Sequence, residues 1–256
     1  MIHPTALVDK AARIADGVVI GPFTVIGPEV EIGEGCWVGP HVVINGPTTI
    51  GRHNKIYQFA SVGEACQDLK YQGESTRLVI GDHNTIRECA TLHRGTIQDN
   101  SETRVGSHCL LMAYSHVAHD VVLRDHVILA NSAQLAGHVK VGFHATIGGN
   151  AGVHQYVSIG DHAFVGTGST VLKDVPAFVT VQGYPASPHG MNTEGLRRRG
   201  FSAEAIKALR NAYKTVYRES KTTKVALAQL EPIALAFPEV AVFVHSIEMA
   251  SRGIVR

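Results

Sequence analysis

The chain is poor in aromatic residues, at 6%, and in charged ones, at 18%. Few rings leave little material for a thick globular core, whereas 26 glycines suit many tight corners. An excess of either charge is also missing, with 23 Lys plus Arg against 22 Asp plus Glu. That balance speaks against a general nucleic-acid binder, which carries a basic surplus. The four cysteines, Cys36, Cys66, Cys89 and Cys109, form no C-x-x-C pair and have no His at zinc-finger spacing, which predicts reduced thiols in a cytoplasmic protein. No segment approaches ~18 uncharged apolar residues. The N-terminus, MIHPTALVDKAARIADG, lacks a basic stretch followed by a long apolar one, so neither a membrane span nor export is expected.

What the chain does have is a six-residue period. An aliphatic residue recurs from Ile2 through Val8, Ile14, Ile20, Ile26, Ile32, Val38, Ile44, Ile50 and Ile56 to Val62. The period returns at Ile80, Ile86 and Leu92, then runs from Val105 to Val171, often with Gly next in line, as in IGPFTV and IGEGCW. Such spacing fits neither an α-helix nor simple strand alternation. It fits a solenoid of very short strands, with three sides to an 18-residue coil. One aliphatic side chain per side points inward, and small residues after it are expected to bend the backbone at the corners. Coils stacked about 4.8 Å apart then form one continuous aliphatic column.

Two stretches break the period. Residues 63–79, GEACQDLKYQGESTRLV, put Asp68 and Glu74 where inward aliphatics are due, and residues 97–104, IQDNSETR, make a shorter break. Both are expected to leave the coil as loops. The period ends near Val175-Pro176. Beyond Phe201, Ile206, Leu209, Ala212, Tyr213 and Val216 are spaced as on a helix, with Ser202 placed to cap it. VALAQLEPIALAF and EVAVFVHSIEMASRGIV predict two more helices about a break near Pro238. The expected division is a coil over 1–190 and a helical domain over 191–256. Arg197, Arg198, Arg199, Lys207, Arg210, Lys214 and Arg218 make the latter locally basic, either as a solvated face or as a landing surface for an acidic partner.

Candidate chemistry concentrates in AYSHVAHD, residues 113–120. The hexapeptides that begin at Val117, Leu135 and Val153 are 18 residues apart and should stack. They bring His119, His138 and His154 to one face within about 10 Å along the axis, with Gly137 and Gln155 beside them and His116 at the preceding corner. Several imidazoles on one outer face offer no packing advantage and point to function. His41, His53, His83 and His162 fall at solvent-facing repeat positions and read as ordinary.

The [LIV]-G-x-x-x-x repeat resembles that of the hexapeptide-repeat acyltransferases, which implies a mainly β fold, a left-handed parallel β-helix, here with a C-terminal α-helical domain. QDLKYQGE at Gln67, HRGT at His93, HVAHD at His116, LAGH ending at His138, VHQ at Val153 and MNTEGLRRRGFS at Met191 narrow the resemblance. They look like the acyl-[acyl-carrier-protein]:UDP-N-acetylglucosamine O-acyltransferases of lipid A synthesis, nearly end to end. The resemblance implies transfer of an (R)-3-hydroxyacyl group from acyl carrier protein to the glucosamine 3-hydroxyl of UDP-N-acetylglucosamine. It also implies a cytoplasmic homotrimer with active sites between subunits. No metal or other cofactor is implied, since the acyl group arrives as a thioester on the carrier's phosphopantetheine.

By the same resemblance His119 is the general base and the Gly137 backbone N–H the oxyanion donor. Asp120 invites the role of orienting carboxylate, but consecutive strand residues face opposite ways. Gln67, Asp68, Lys70, His116, His138, His154 and Gln155 would hold sugar and pyrophosphate, and Asn192, Glu194, Arg198 and Arg199 the nucleotide. Arg197, Lys207, Arg210 and Lys214 would meet the acidic carrier protein. Thr167 stands where a glycine in this family admits longer acyl chains, which implies a preference for about ten to twelve carbons. Two relatives compete: the N-acyltransferase of the same pathway, which normally has an added N-terminal uridine-binding domain, and the zinc-dependent β-helix carbonic anhydrases, for which His116, His119 and His138 would be ligands. The loop at Gln67 and the stretch at Met191 favour the O-acyltransferase.

Overall fold

An inward aliphatic every six residues leaves room for only two or three strand residues before the chain must turn. Leu7–Val8, Arg13–Ile14 and Val19–Ile20 accordingly start three different sheets. The computed structural model, which describes residues 1–256, is a three-sided parallel coil. Its first face has nine strands, from Leu7–Val8 to Thr170–Val171, and its second eight, from Arg13–Ile14 to Ser158–Ile159. The third face has ten and ends in an antiparallel hairpin of Val179–Gly183 and Ala186–Met191.

Strand register measures the excursions. Leu7 pairs with Val25, an offset of 18. Ser61 pairs with Thr91, an offset of 30, so the first excursion adds 30 − 18 = 12 residues. Thr91 pairs with His116, an offset of 25, so the second adds 25 − 18 = 7. Both loops are tighter than the sequence suggests. Arg77–Ile80 and Glu102–Val105 already pair as strands, because Leu78 and Thr103 turn inward to complete buried positions.

The core column on the third face is Ile20, Val38, Ile56, Ile86, Leu111, Leu129, Ile147 and Val165, each buried over the next. A second inward position, two residues earlier, escapes a reading that counts only aliphatics. On the third face it holds Cys36, Asn54, Asn84 and Cys109, which explains two of the buried thiols. Asn54 Oδ1 accepts from the Asn84 N–H at 2.8 Å, and Asn84 Oδ1 from the Cys109 N–H at 2.7 Å, so these amides are satisfied by the coil above.

The corners correct one expectation. Small residues make only some of the bends: the residue three after the inward aliphatic adopts a left-handed conformation and is glycine at Gly17, Gly35 and Gly168 but often large, as at Phe23, His41, His83, Asp120, His138 and Tyr156. Asn, Asp and His tolerate this conformation better than most side chains. The glycines directly after the aliphatics serve close stacking instead. A Cβ on Gly33 would lie 2.6 Å from the Gly51 carbonyl oxygen of the next coil.

Beyond the hairpin come α1 (Thr193–Arg198), α2 (Ala203–Tyr217), α3 (Thr223–Ala236) and α4 (Pro238–Glu248). Ser202 caps α2, accepting from the Ala205 N–H at 3.0 Å, and Pro238 opens α4 where its missing N–H costs nothing. Periodicity does not predict α1, which is too short to show one. Asn192 fixes it at both ends of its own side chain, accepting from the Gly195 N–H at 3.1 Å and donating to the His162 carbonyl at 3.0 Å. The C-terminal segment returns to the coil, where Asp174 pairs with Ile254.

Because Ile86 has no exposed surface and neighbours in the coils above and below, Ile86→Ala is expected to cost about 2–5 kcal/mol. A denaturation midpoint indistinguishable from that of the unaltered protein would contradict this account of the core.

Candidate active site

The strand His116–Val117 lies on the first face and Val122–Leu123 on the second, so residues 118–121 round the corner between them, and it is His119, not His116 as expected, that sits at a corner. Asp120 takes the left-handed conformation there, with φ 59°. The turn breaks the alternation of side chains and brings two consecutive residues to one side. His119 Nδ1 donates to Asp120 Oδ2 at 2.9 Å, so the objection that neighbouring strand residues face apart does not apply.

Thr96 holds the carboxylate from behind. Its N–H donates to Oδ1 at 3.0 Å and its hydroxyl to Oδ2 at 2.6 Å, while the Asp120 N–H is held by Thr103 Oγ1 at 2.8 Å. One coil above, His138 lies edge-on to His119, with ring centroids 5.0 Å apart, and stacks on Tyr156 at 4.3 Å. Asp99, from the second excursion, accepts from His138 Nδ1 at 3.2 Å. Gly137 sits flat against the His119 ring, and a Cβ there would lie 2.6 Å from Nε2.

An open cleft of about 550 Å³ faces this corner, lined by Gln67, Asp68, Lys70, His93, His116, His119 and Gln155 among others. The first excursion supplies its wall. Arg94 pins that loop, with Nη1 donating to the Gly46 and Gly63 carbonyls at 2.9 and 2.5 Å and Nη2 to the Tyr71 hydroxyl at 3.3 Å. The four residues HRGT are thereby accounted for. His93 lies in the cleft, Arg94 anchors the loop, Gly95 makes room for Ser101–Glu102 backbone, and Thr96 braces Asp120. No local sequence pattern reveals these roles, nor that of Thr91, whose hydroxyl shares a 2.7 Å hydrogen bond with His116 Nδ1.

Other expected site residues lie elsewhere. His154 is exposed and lines an adjoining groove of about 370 Å³ on the first face, with His116, Gly152, Thr170 and Leu172. Thr167 is exposed near the corner between the third and first faces and does not line that groove. Asn192, Glu194, Arg198 and Arg199 sit on or beside α1, against the corner between the second and third faces. There Asn192 bonds to the His162 carbonyl, and Arg199 Nη2 donates to the His144 carbonyl at 3.0 Å. Glu194 pairs with Arg197. Arg197, Arg210 and Lys214 line a cavity of about 520 Å³, and Arg197, Arg210 and Lys207 another of about 250 Å³.

The residues that converge with metal-ligand spacing are His119, Asp120 and His138, with donor atoms within 4.8 Å of one another. They are not the three histidines that a carbonic anhydrase reading requires, since His116 is turned to Thr91. Both oxygens of Asp120 are already engaged by His119 and Thr96. An ion here would have to displace the hydrogen bond that orients His119.

A family model described as Udp N-acetylglucosamine O-acyltransferase, Domain 2, matches residues 174–255, and one for the bacterial transferase hexapeptide matches residues 11–46 and 29–64. The chain is 60% identical over 256 residues to the acyl-[acyl-carrier-protein]–UDP-N-acetylglucosamine O-acyltransferase of Stutzerimonas stutzeri, covering 100% of this chain and 99% of that one. It is 59% identical over 256 residues to the enzyme of the same name from Pseudomonas aeruginosa, with the same coverage. Among solved structures, LpxA from Acinetobacter baumannii matches with a TM-score of 0.97 at 50% identity, covering 100% of this chain and 99% of that one. UDP-N-acetylglucosamine O-acyltransferase from Moraxella catarrhalis matches with 0.98 at 49% identity, over 100% and 99%.

Protonation follows from the packing. Burial, opposed by the hydrogen bonds from His119 and Thr96, leaves the Asp120 carboxyl below its usual range and therefore ionised. Burial pushes His116 down to about 4, helped by His93 and His119, and does the same to His144 and His162, each to about 4. A histidine whose folded pKa is lowered stabilises the fold fully above its unfolded value near 6.5 and loses that contribution as pH falls towards about 4. Folding stability is thus expected to drop between those limits. His116→Asn should flatten part of the drop in denaturation midpoints measured across that range; an unchanged profile would contradict the burial argument.

Proposed function

The chain belongs to the family of acyl-[acyl-carrier-protein]–UDP-N-acetylglucosamine O-acyltransferases, and on that premise we propose how its residues divide the reaction. It is an O-acyltransferase of lipid A synthesis, taking an acyl group from acyl carrier protein to UDP-N-acetylglucosamine. The finer assignment is a (R)-3-hydroxyacyl group delivered to the glucosamine 3-hydroxyl. No helix is long and apolar enough to cross a membrane, and a cytoplasmic site of action suits the two soluble substrates.

A sugar hydroxyl is a weak nucleophile and a thioester an activated acyl donor, so the transfer needs a base and an oxyanion donor rather than a metal or other cofactor. The hydrogen bond from His119 Nδ1 to Asp120 carries the assignment: a carboxylate only accepts, so the proton stays on Nδ1 and Nε2 is the free base. Nε2 takes the proton of the 3-hydroxyl as its oxygen attacks the thioester carbonyl. The Gly137 N–H, which donates to no backbone acceptor in the chain, is available to the resulting oxyanion. Collapse breaks the carbon–sulfur bond, and the phosphopantetheine sulfur leaves with the proton from His119. Asp120 is the orienting carboxylate.

Binding divides in two. Gln67, Asp68 and Lys70 on the pinned loop, with His116, His138 and Gln155, hold sugar and pyrophosphate at the corner between the first and second faces. His154 lies at the mouth of the apolar groove. Asn192, Glu194, Arg198 and Arg199 hold the nucleotide from a different corner, so a second copy of the chain must bring its α1 to the first copy's cleft. A homotrimer with sites between subunits meets that need. Arg197, Lys207, Arg210 and Lys214, on cavities of α1 and α2, receive the acidic carrier protein.

The acyl chain follows the groove from His116 to Thr170, three coils or about 14 Å along the axis. That reach suits about ten to twelve carbons, with Thr167 at the nearby corner limiting longer chains. The related N-acyltransferase reading has no observation of its own in favour.

His119→Ala is expected to lower turnover by about 10²–10⁴ while binding of UDP-N-acetylglucosamine persists. Mass spectrometry of products from a mixed pool of hydroxyacyl carrier proteins should show O-acylated UDP-N-acetylglucosamine of that chain length. Full turnover in the variant would remove His119 as base, and a preference for a fourteen-carbon chain would remove Thr167 as the limit.

A further inference from the structure

The corner between the second and third faces carries a ladder of histidines that the reaction does not use. His53, His83, His108, His126, His144 and His162 occupy the same left-handed position on successive coils, with φ between 55° and 60°. Neighbouring ring centroids are 5.0, 5.0, 4.9, 4.4 and 5.3 Å apart. The rings of His83, His108 and His126 are almost parallel, at 5° and 7°.

Stacking alone does not call for imidazole. At the corner between the third and first faces the same position is filled by Phe23, His41 and Phe59, stacked at 5.1 and 5.4 Å. What imidazole adds is nitrogen. The histidines that make side-chain hydrogen bonds are His3, His116, His119, His138 and His154, so every ring nitrogen of the ladder is uncommitted within the chain. His83 and His108 are exposed, with Asp82 next to His83 and Asp125 next to His126. Each carboxylate uses Oδ1 to accept a backbone N–H, from Arg52 at 2.6 Å and Ser107 at 2.8 Å, which leaves Oδ2 and the negative charge beside the rungs.

We propose that adjacent rungs of this ladder, centred on His108, bind a divalent transition-metal ion that imidazole ligates, such as Zn²⁺, Ni²⁺ or Cu²⁺. Two nitrogens on one ion at about 2.0–2.1 Å are at most about 4.2 Å apart. Rings spaced at 5.0 and 4.9 Å must lean together to reach that. Sharing an ion also turns the rings out of their parallel stack, so that the ion lies in the plane of each, a rotation that the exposed His83 and His108 are free to make. An ion is thus shared by His83 and His108 or by His108 and His126. The upper rungs are excluded, because the Arg199 guanidinium reaches the His144 carbonyl and its charge opposes a cation there. Within one chain the lower rungs lie on a different corner from His119.

The test is calorimetric titration of the full chain, stripped with chelator, with Zn²⁺ and separately with Ni²⁺. Asn tolerates the left-handed conformation but lacks the imidazole, so a His83→Asn/His108→Asn double variant keeps the corner and removes the ligands. Affinity should fall on the order of tenfold or more in that variant and should be retained in His119→Ala. Absence of binding, equal binding in the double variant, or loss in His119→Ala would overturn the proposal. Should the double variant fail to fold, anomalous diffraction from Zn²⁺-soaked crystals of the unaltered protein decides. A peak beside His108 supports the site, and a peak confined to His119, Asp120 and His138 overturns it.

Discussion

Vertical stacking is the constraint from which the rest of this molecule follows. Each coil must seat its aliphatic side chains on those of the coil below, at the spacing of a parallel sheet. With an offset of 18 residues, every position is repeated one coil up, as Leu7 over Val25 shows. The same requirement selects glycine where coils approach closely and a second, smaller inward residue beside each aliphatic. It also forces the backbone into a left-handed residue at corner after corner. Columns of like residues, whether Ile, Asn or His, are the result.

The corner conformation links this scaffold to chemistry. In an extended strand His119 and Asp120 would face apart; at the bend they meet at 2.9 Å. Thr96, delivered by the second excursion, completes the support of the carboxylate, and Gly137 gives the His119 ring its place. His119, the proposed base, is therefore held by three successive coils rather than by a mobile loop, which favours a fixed direction for Nε2. The stiffness that makes the coil monotonous is what makes His119 well oriented.

Much of this was legible in the sequence. The six-residue period predicted three faces, inward aliphatics and the stacking that sets His138 over His119. The helices after Phe201 followed from spacing and from Ser202 as a cap. Other features were not legible, for physical reasons. Which residue turns the corner is decided by backbone dihedrals, and a large residue such as Phe23 or His83 gives no turn signal. α1 is too short for a period. The roles of Thr91, Arg94, Thr96 and Asp99 depend on where the excursions fold back, which no local pattern encodes. His53, His83 and His162 looked like unrelated surface residues because their identity as one column appears only after the two excursions, of 12 and 7 residues, are subtracted from the numbering.

On the proposed assignment, the cleft at His119 and the nucleotide contacts at α1 form one site only when two copies of the chain meet. Subunit complementation tests it most directly. His119→Ala and Arg198→Ala chains, each defective alone, are unfolded together, refolded as mixed oligomers, and assayed at limiting UDP-N-acetylglucosamine. A site shared across a head-to-tail interface draws its base from one chain and its arginine from the other, so about one quarter of the sites in a random equal mixture are intact, and turnover should recover accordingly. A mixture no more active than its two components would place the whole site within a single chain and contradict the account.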